Sequence, residues 1–313
     1  ELAEPLMKEA MRIAKESLGV NHPSYGIDLN NLAQLYQSMG RYEQAEPLMK
    51  EAIRVAKESL GVNHPSYGID LNNLAMLYNS MGQYEQAEPL MKESMRISKE
   101  SLGVNHPDYG IDLNNLGQLY KAMGQYEKAE PLLKEAIRIM KESLGENHLS
   151  YGTCLNNLAL LYKDSGKFSD AISYYDSAFL NDTANIEILY WRAKCSYFTG
   201  DTLGTKEDCQ IYFNKSKNSL RKIFCLFYSG NKAEALVKMK ELVKNDTNSA
   251  FIYSLAAMYA LNDRSVDALN YLEEALKMGY KNKQNILSDP NILNIRELPE
   301  FKKLIEQYFG PSK

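Results

Sequence analysis

The stretch HPSYGIDLNNLAQLYQSMGRYEQAEPLMKEAIRVAKESL, residues 22–60, decides the fold, because it recurs almost unchanged along the first half of the chain. A histidine begins each copy, and the four histidines stand 42 residues apart: His22, His64, His106 and His148. Residues 1–42 and 43–84 differ at only six positions. A fixed period between about 20 and 50 residues is the signature of a stacked-repeat architecture.

Each copy contains two apolar patterns with the spacing of three and four residues that an amphipathic helix produces. The first pattern covers residues 29–39 and stops at Gly40, and the second covers residues 42–56 and stops at Gly61. Pro23 stands where the first turn of a helix tolerates proline, because the missing N–H is not needed there. Each copy is therefore predicted to be a hairpin of helix A and helix B. One hairpin cannot bury both stripes alone, so the hairpins are predicted to stack.

The motif within each copy resembles the tetratricopeptide repeat. In the first copy the residues that carry this resemblance are Leu29, Leu32, Ala33, Tyr36, Gly40, Tyr42, Ala45 and Ala52. The 42-residue form with LNNLAxLY, GxYExAEPL and LGxxHP resembles the repeats of kinesin light chains and their bacterial relatives. The resemblance implies an all-α fold, a right-handed α-solenoid of antiparallel helix hairpins with capping helices at the C-terminus.

The repeat lengths divide the chain into four predicted segments. Residues 1–21 are a helix B without its partner, residues 22–180 the kinesin-light-chain-like array, residues 181–280 shorter and partly degenerate repeats, and residues 281–313 the capping helices. Because Glu1–Leu18 matches the helix B at 43–60, we expect the natural chain to extend upstream. A signal sequence in that upstream part stays open.

Helix A carries a second stripe, which runs from Ile27 through polar residues and which the resemblance places on the concave surface. Asparagine carries a donor and an acceptor, so it can pair with both backbone groups of an extended peptide. The predicted peptide-binding residues are Asn30, Gln34, Gln37, Asn72, Met76, Asn79, Asn114, Gln118, Lys121, Asn156, Leu160 and Lys163. The alternative is that these are solvated positions, where sequence drift is cheap.

Other conspicuous residues receive structural interpretations. The second asparagine of each pair, such as Asn115, is expected to bond to the neighbouring helix, and the histidines are expected to serve helix starts or loops. The four cysteines lack metal-ligand spacing and are expected to be reduced and mostly buried; a disulfide between neighbouring helices is the alternative. Trp191 has two interpretations, core packing or one wall of a C-terminal groove.

Composition and motifs exclude several classes of function. The net charge of −4 and the lack of a basic stripe argue against nucleic-acid binding. No apolar run approaches the ~18 residues of a membrane helix. No catalytic constellation, metal site or cofactor motif is present, so we predict a non-enzymatic cytoplasmic scaffold or adaptor that binds a protein or peptide.

Two other hypotheses stay open. The chain could be the regulatory or sensor part of a larger bacterial enzyme system, either protease-like or nucleotide-binding. Alternatively, the apolar face of helix 1–18 could pair with a second copy of the chain.

Overall fold

The protein is almost entirely helical. The structure, a computed structural model, describes residues 3–310; it is 81% helical, with no strand in that range. The α-helices are α1 (Ala3–Leu18), α2 (Pro23–Ser38), α3 (Tyr42–Leu60), α4 (Pro65–Ser80), α5 (Tyr84–Leu102), α6 (Pro107–Ala122), α7 (Tyr126–Leu144), α8 (Leu149–Asp164), α9 (Phe168–Asn181), α10 (Glu187–Thr199), α11 (Thr202–Lys215), α12 (Ser219–Tyr228), α13 (Lys232–Asn245), α14 (Ser249–Ala260), α15 (Ser265–Lys277), α16 (Lys283–Ser288) and α17 (Pro299–Phe309). A 3₁₀ helix, Pro290–Ile295, lies between α16 and α17.

Successive helices pack as antiparallel hairpins, which confirms the predicted all-α solenoid. The contacts divide the chain into two units: unit 1 ends at Cys154, and unit 2 begins at Leu155, inside α8. In unit 1, α2, α4 and α6 are helices A, and each packs on the helix B that follows it. In unit 2, α10, α12 and α14 are helices A. The predicted segment boundaries at residues 21, 180 and 280 rest on repeat length and stay a prediction.

The repeated histidines begin the A helices. His22 Nδ1 accepts a hydrogen bond from the backbone N–H of Ser24 over 3.2 Å, and Pro23 follows in the first turn. The other three histidines accept the same bond from Ser66, Asp108 and Ser150 over 3.1 to 3.2 Å. This bond satisfies a backbone donor that the first helical turn leaves unpaired. The predicted helix-start role is confirmed.

Repeated side-chain hydrogen bonds join one hairpin to the next within unit 1. The Tyr78 hydroxyl on α4 donates to Glu46 Oε1 on α3 over 2.9 Å. The same pairing recurs from Tyr36 to Glu4 over 3.1 Å and from Tyr120 to Glu88 over 2.9 Å. Because the three tyrosines stand 42 residues apart, as do the three glutamates, the sequence period is also the period of these stacking contacts.

The interior of each hairpin depends on matched side-chain volumes. Gly117 on α6 stands where the other A helices carry Ala33, Ala75 and Ala159. A Cβ added to Gly117 would lie 2.8 Å from Leu133 Cγ on α7. The first two repeats place Met49 and Met91 at the position of Leu133. Unbranched methionine leaves room for the alanine methyl group, whereas branched leucine fills that space.

Replacing Gly117 by alanine is therefore expected to lower the free energy of unfolding, although alanine is the better helix former. Overpacking against Leu133 outweighs the helix propensity, and the net loss is about 1–2 kcal/mol. The double variant G117A/L133M recreates the pair of the first two repeats and is expected to be at least as stable as wild type. Urea denaturation followed by circular dichroism measures both; equal destabilisation of the two variants would contradict this explanation.

The predicted capping segment of unit 2 contains short helices, two of which begin at a proline. Pro290 begins the 3₁₀ helix, and Pro299 begins α17. On α17, Phe301 and Ile305 are buried, whereas Lys302 lies exposed on the opposite side. The cap covers α14, which is buried at every residue from Ile252 to Ala260. No helix in residues 3–310 has the length and apolar composition of a membrane span.

Candidate functional site

Helices α2, α4 and α6 present a repeated surface, which we call the A-helix face of unit 1. It consists of the following residues and their neighbours on the same stripe: Ile27, Asn30, Gln34, Gln37, Ile69, Asn72, Met76, Asn79, Ile111, Asn114, Gln118 and Lys121. The isoleucines begin the stripe and point outward: Ile27 is 60% exposed, Ile69 49% and Ile111 42%. Three large apolar side chains are thus exposed to solvent at the same position of three successive repeats.

The asparagines behind the isoleucines lie deeper and bond between neighbouring A helices. Asn30 and Asn114 are buried. Asn30 Nδ2 donates to Asp70 Oδ1 on α4. Asn115 Nδ2 donates to Asn72 Oδ1 over 3.3 Å. The predicted contact of the second asparagine with a neighbouring helix is therefore confirmed at Asn115. The first asparagines contribute to stacking, and their role in binding a peptide stays a prediction.

Two amide atoms on this face are buried without a hydrogen-bond partner. They are Asn30 Oδ1 and Gln118 Nε2. A buried polar atom that makes no hydrogen bond costs about 1–3 kcal/mol. The sequence analysis predicted both residues to be peptide-binding residues on the concave surface.

The rest of the stripe lies closer to solvent. Gln34 is exposed, and Met76 is half-buried. Gln37 Nε2 donates to Ser80 Oγ over 3.2 Å, and Asn79 and Lys121 are half-buried. These positions differ from copy to copy, so the chemistry of the face changes along unit 1.

Two buried carboxylates lie behind the A-helix face of unit 1. Burial raises the pKa of Asp70 to about 6, and the hydrogen bond from Asn30 opposes this shift. Burial likewise raises the pKa of Asp112 to about 6 against hydrogen bonds from Ser98 and Ser94. Both carboxylates are mostly ionised at neutral pH in a poorly solvated place.

Sequence reasoning missed these carboxylates, although one signal was available. In the apolar stripe of helix B, Ser94 and Ser98 replace Ala52 and Ala56 of the preceding helix B. Two hydroxyls on a stripe that is otherwise apolar indicate a buried polar partner, because a buried polar group needs a hydrogen bond. That partner is Asp112, which accepts from Ser94 Oγ over 2.9 Å and Ser98 Oγ over 2.6 Å.

The last predicted site residues lie on α8, in unit 2. Asn156 and Leu160 are half-buried, and Asn156 Oδ1 is buried without a hydrogen-bond partner. Lys163 is buried, and its Nζ lies 2.7 Å from Asp164 Oδ1 and 4.2 Å from the ring centre of Trp191. Both interpretations of Trp191 hold in part, since it packs against the core and also lines a cavity.

The chain's own C-terminal segment lies against the A helices of unit 2. A cavity of about 220 Å³ is bounded by α8, α10, α12, α14 and residues 280–291. Across it, Lys194 Nζ on α10 lies 3.0 Å from Asp289 Oδ1. Burial raises the pKa of Asp289, but the charge of Lys194 and several hydrogen bonds outweigh burial and hold the pKa below its usual value. This segment covers much of the A-helix surface of unit 2.

Cysteines and candidate metal ligands form no further site within residues 3–310. All four cysteines are buried and unbonded, as expected for structural thiols. In the part of the chain that the structure describes, no three His, Cys, Asp or Glu side chains come together as a metal site would require.

The fold and the repeated face define a class of protein, an α-solenoid of near-identical helical hairpins. The family model of the tetratricopeptide repeat matches residues 1–58, 66–142 and 114–179, more than half of the chain. The chain belongs to the tetratricopeptide repeat family. Proteins of this family are generally protein–protein interaction modules and typically non-enzymatic scaffolds.

Solved structures share the fold at low sequence identity. A Podospora anserina protein described as a kinesin light chain with nearly identical TPR-like repeats is 22% identical, with a TM-score of 0.54 over 63% of this chain and 99% of its own. A tetratricopeptide repeat protein from Parabacteroides merdae is 16% identical, with a TM-score of 0.57 over 85% and 97%. Pseudomonas aeruginosa pilF is 15% identical, with a TM-score of 0.54 over 72% and 94%. No curated protein matches the chain significantly.

Proposed function

We propose that this protein is a non-catalytic scaffold or adaptor whose A-helix face of unit 1 binds an extended segment of a partner protein. The observation that carries the proposal is the row of exposed isoleucines, Ile27, Ile69 and Ile111, on three successive A helices. A row of large apolar side chains that are exposed to solvent at a regular spacing is typical of an interaction surface.

The spacing of the A helices favours an extended partner. Packed helices lie about 8–10 Å apart, and α2 contacts α4 as α4 contacts α6. A polyproline II segment advances about 3.1 Å per residue and completes a turn in three residues, or about 9 Å. One side chain per turn would therefore meet one isoleucine per repeat. We propose a partner segment with an apolar residue at every third position.

The amides would hold the backbone of that segment. Asn30 Oδ1 and Gln118 Nε2, which are buried and have no partner, are the strongest candidates, because a bound backbone would satisfy one acceptor and one donor. Gln34, Met76 and Lys121 differ between copies and would set the preference for particular side chains. The predicted site residues of unit 2 would contribute less to binding, since Lys163 already pairs with Asp164. These residues are Asn156, Leu160 and Lys163.

The experiment uses peptides selected from a random library for binding to the full chain. The triple variant I27S/I69S/I111S is expected to bind them about 100-fold more weakly in calorimetry, since three desolvated apolar contacts are lost. V266S is the matched control, because Val266 is a 74% exposed apolar side chain of unit 2. Undiminished binding by the triple variant, or an equal loss in V266S, would refute this face as the binding site.

Two coarser expectations accompany this proposal. Four buried thiols without a disulfide suit a reducing compartment, so we propose a cytoplasmic protein. On α1, Leu6 is 70% exposed and Ile13 52%, whereas Val55, the counterpart of Ile13 on α3, is fully buried. Pairing of two copies through α1 therefore stays a proposal, and light scattering over a range of protein concentrations tests it.

A further inference from the structure

A cavity of about 240 Å³ lies between α4 and α6, with α5 as its floor. Ile69 and Asn72 line it from α4, Ser94 and Ser98 from α5, and Asp112 from α6. Ile69 is also among the residues that define the A-helix face of unit 1, and it is half exposed. The cavity is therefore accessible from the face on which we place the partner segment.

The lining of this cavity is acidic and contains no cation. Asp108 and Asp112 both line it, and no lysine, arginine or histidine does, although His106 Nδ1 lies 3.7 Å from Asp108 Oδ2. Asp112 is only 7% exposed, and its two oxygens accept hydrogen bonds from Ser94 and Ser98. A buried carboxylate that only hydroxyls compensate is unfavourable, because neutral donors do not cancel its charge.

The hydroxyl floor is particular to this repeat. The positions of Ser94 and Ser98 are Ala52 and Ala56 in the preceding helix B and Ala136 and Met140 in the following one. The corresponding carboxylate of the preceding repeat, Asp70, accepts a hydrogen bond from Asn30 instead. This helix B therefore differs from the helices B of the adjacent repeats at the two residues that donate hydrogen bonds to Asp112.

We propose that this cavity binds a cationic side chain, arginine or lysine, with its charged end against Asp112. The inference rests on the proposed function, since the side chain would belong to the segment bound on the A-helix face of unit 1. The volume accommodates an alkyl stem, which Ile69 and Ile111 would cover. The charged end would make charge-assisted hydrogen bonds, which are stronger than those between neutral groups.

The test uses agmatine, a butyl chain with a guanidinium at one end and an ammonium at the other, with the chain of residues 1–313 at pH 7.5. Carboxyl-carbon NMR is expected to show saturable binding of agmatine, with a shift of the Asp112 resonance. D112N is expected to weaken binding at least about tenfold, because a charge-assisted bond is lost. D70N is the matched control and is expected to bind as wild type. S94A/S98A, which restores the residues of the preceding repeat, is expected to weaken binding less than D112N.

Three outcomes would overturn the inference: no saturable binding of agmatine, agmatine binding that D112N leaves unchanged, or equal binding of the uncharged analogue N-butylurea. The library peptides that contain no lysine or arginine separate this inference from the proposed function. If those peptides bind and the isoleucine variant abolishes their binding, while agmatine does not bind, only the cavity proposal fails. If neither binds, the proposed function fails as well.

Discussion

Lys194→Met is expected to lower the free energy of unfolding of unit 2 by about 3–5 kcal/mol, because it leaves a buried carboxylate without its cation. Lys194 is 5% exposed and Asp289 9%. Asp289 also accepts from the Tyr253 hydroxyl over 3.1 Å and from the backbone of Asn291 over 3.1 Å. Methionine matches the length of the lysine stem, so the packing is largely kept and the loss measures the unpaired charge.

Urea denaturation followed by the fluorescence of Trp191 reports on this unit, since Trp191 is the only tryptophan and lines the same cavity. The double variant K194M/D289N removes both charges and keeps an acceptor for Tyr253, so most of the stability is expected to return. Lys302, which pairs with Glu297 at the surface, is the control, and K302M is expected to leave the unfolding midpoint unchanged. A loss in K194M/D289N as large as in K194M would show that packing, not charge, is responsible.

The sequence could not predict the pair of Lys194 and Asp289, although it predicted both elements that carry them. Apolar spacing that stops at Gly200 predicts a helix over residues 186–199, and Asp289 followed by Pro290 is a helix-start signal. The two residues are 95 positions apart, and no periodicity connects a capping segment to the repeat it folds against. Local patterns determine where elements begin and end, whereas this contact depends on where the cap docks.

The sequence predicts which side of each A helix forms the A-helix face of unit 1, but not how deeply the residues of that face are buried. The period of a helix fixes that Ile27 and Asn30 share one side, and the structure agrees. It does not fix how closely neighbouring A helices approach, and that distance decides exposure. Asn30 therefore lies buried against Asp70, while Ile27, three residues earlier, stays exposed. On this face polar asparagine is buried and apolar isoleucine is exposed, which is the reverse of the usual distribution.

The double variant D70N/D112N is expected to be more stable than wild type at pH 7.5, by about 1–3 kcal/mol for each substitution. Both carboxyl groups have a folded-state pKa of about 6, against an ordinary value of 3.8. At neutral pH the folded protein must keep both ionised in a buried place, which costs free energy that the unfolded chain does not incur. Asparagine removes the charge and keeps the shape. At position 70 it also offers an N–H to Asn30 Oδ1, which has no partner.

The pH dependence follows from the direction of these shifts. Because the folded-state pKa is raised, the protonated carboxyls favour the folded state below about pH 4, and this contribution is lost as the pH rises through about 6. The advantage of D70N/D112N should therefore be largest at pH 7.5 and disappear near pH 4. Denaturation series between these pH values measure it, with D28N as control, since Asp28 occupies the same position in the first repeat and is only half-buried. An advantage that is constant with pH would instead mean that asparagine stabilises through hydrogen bonding alone.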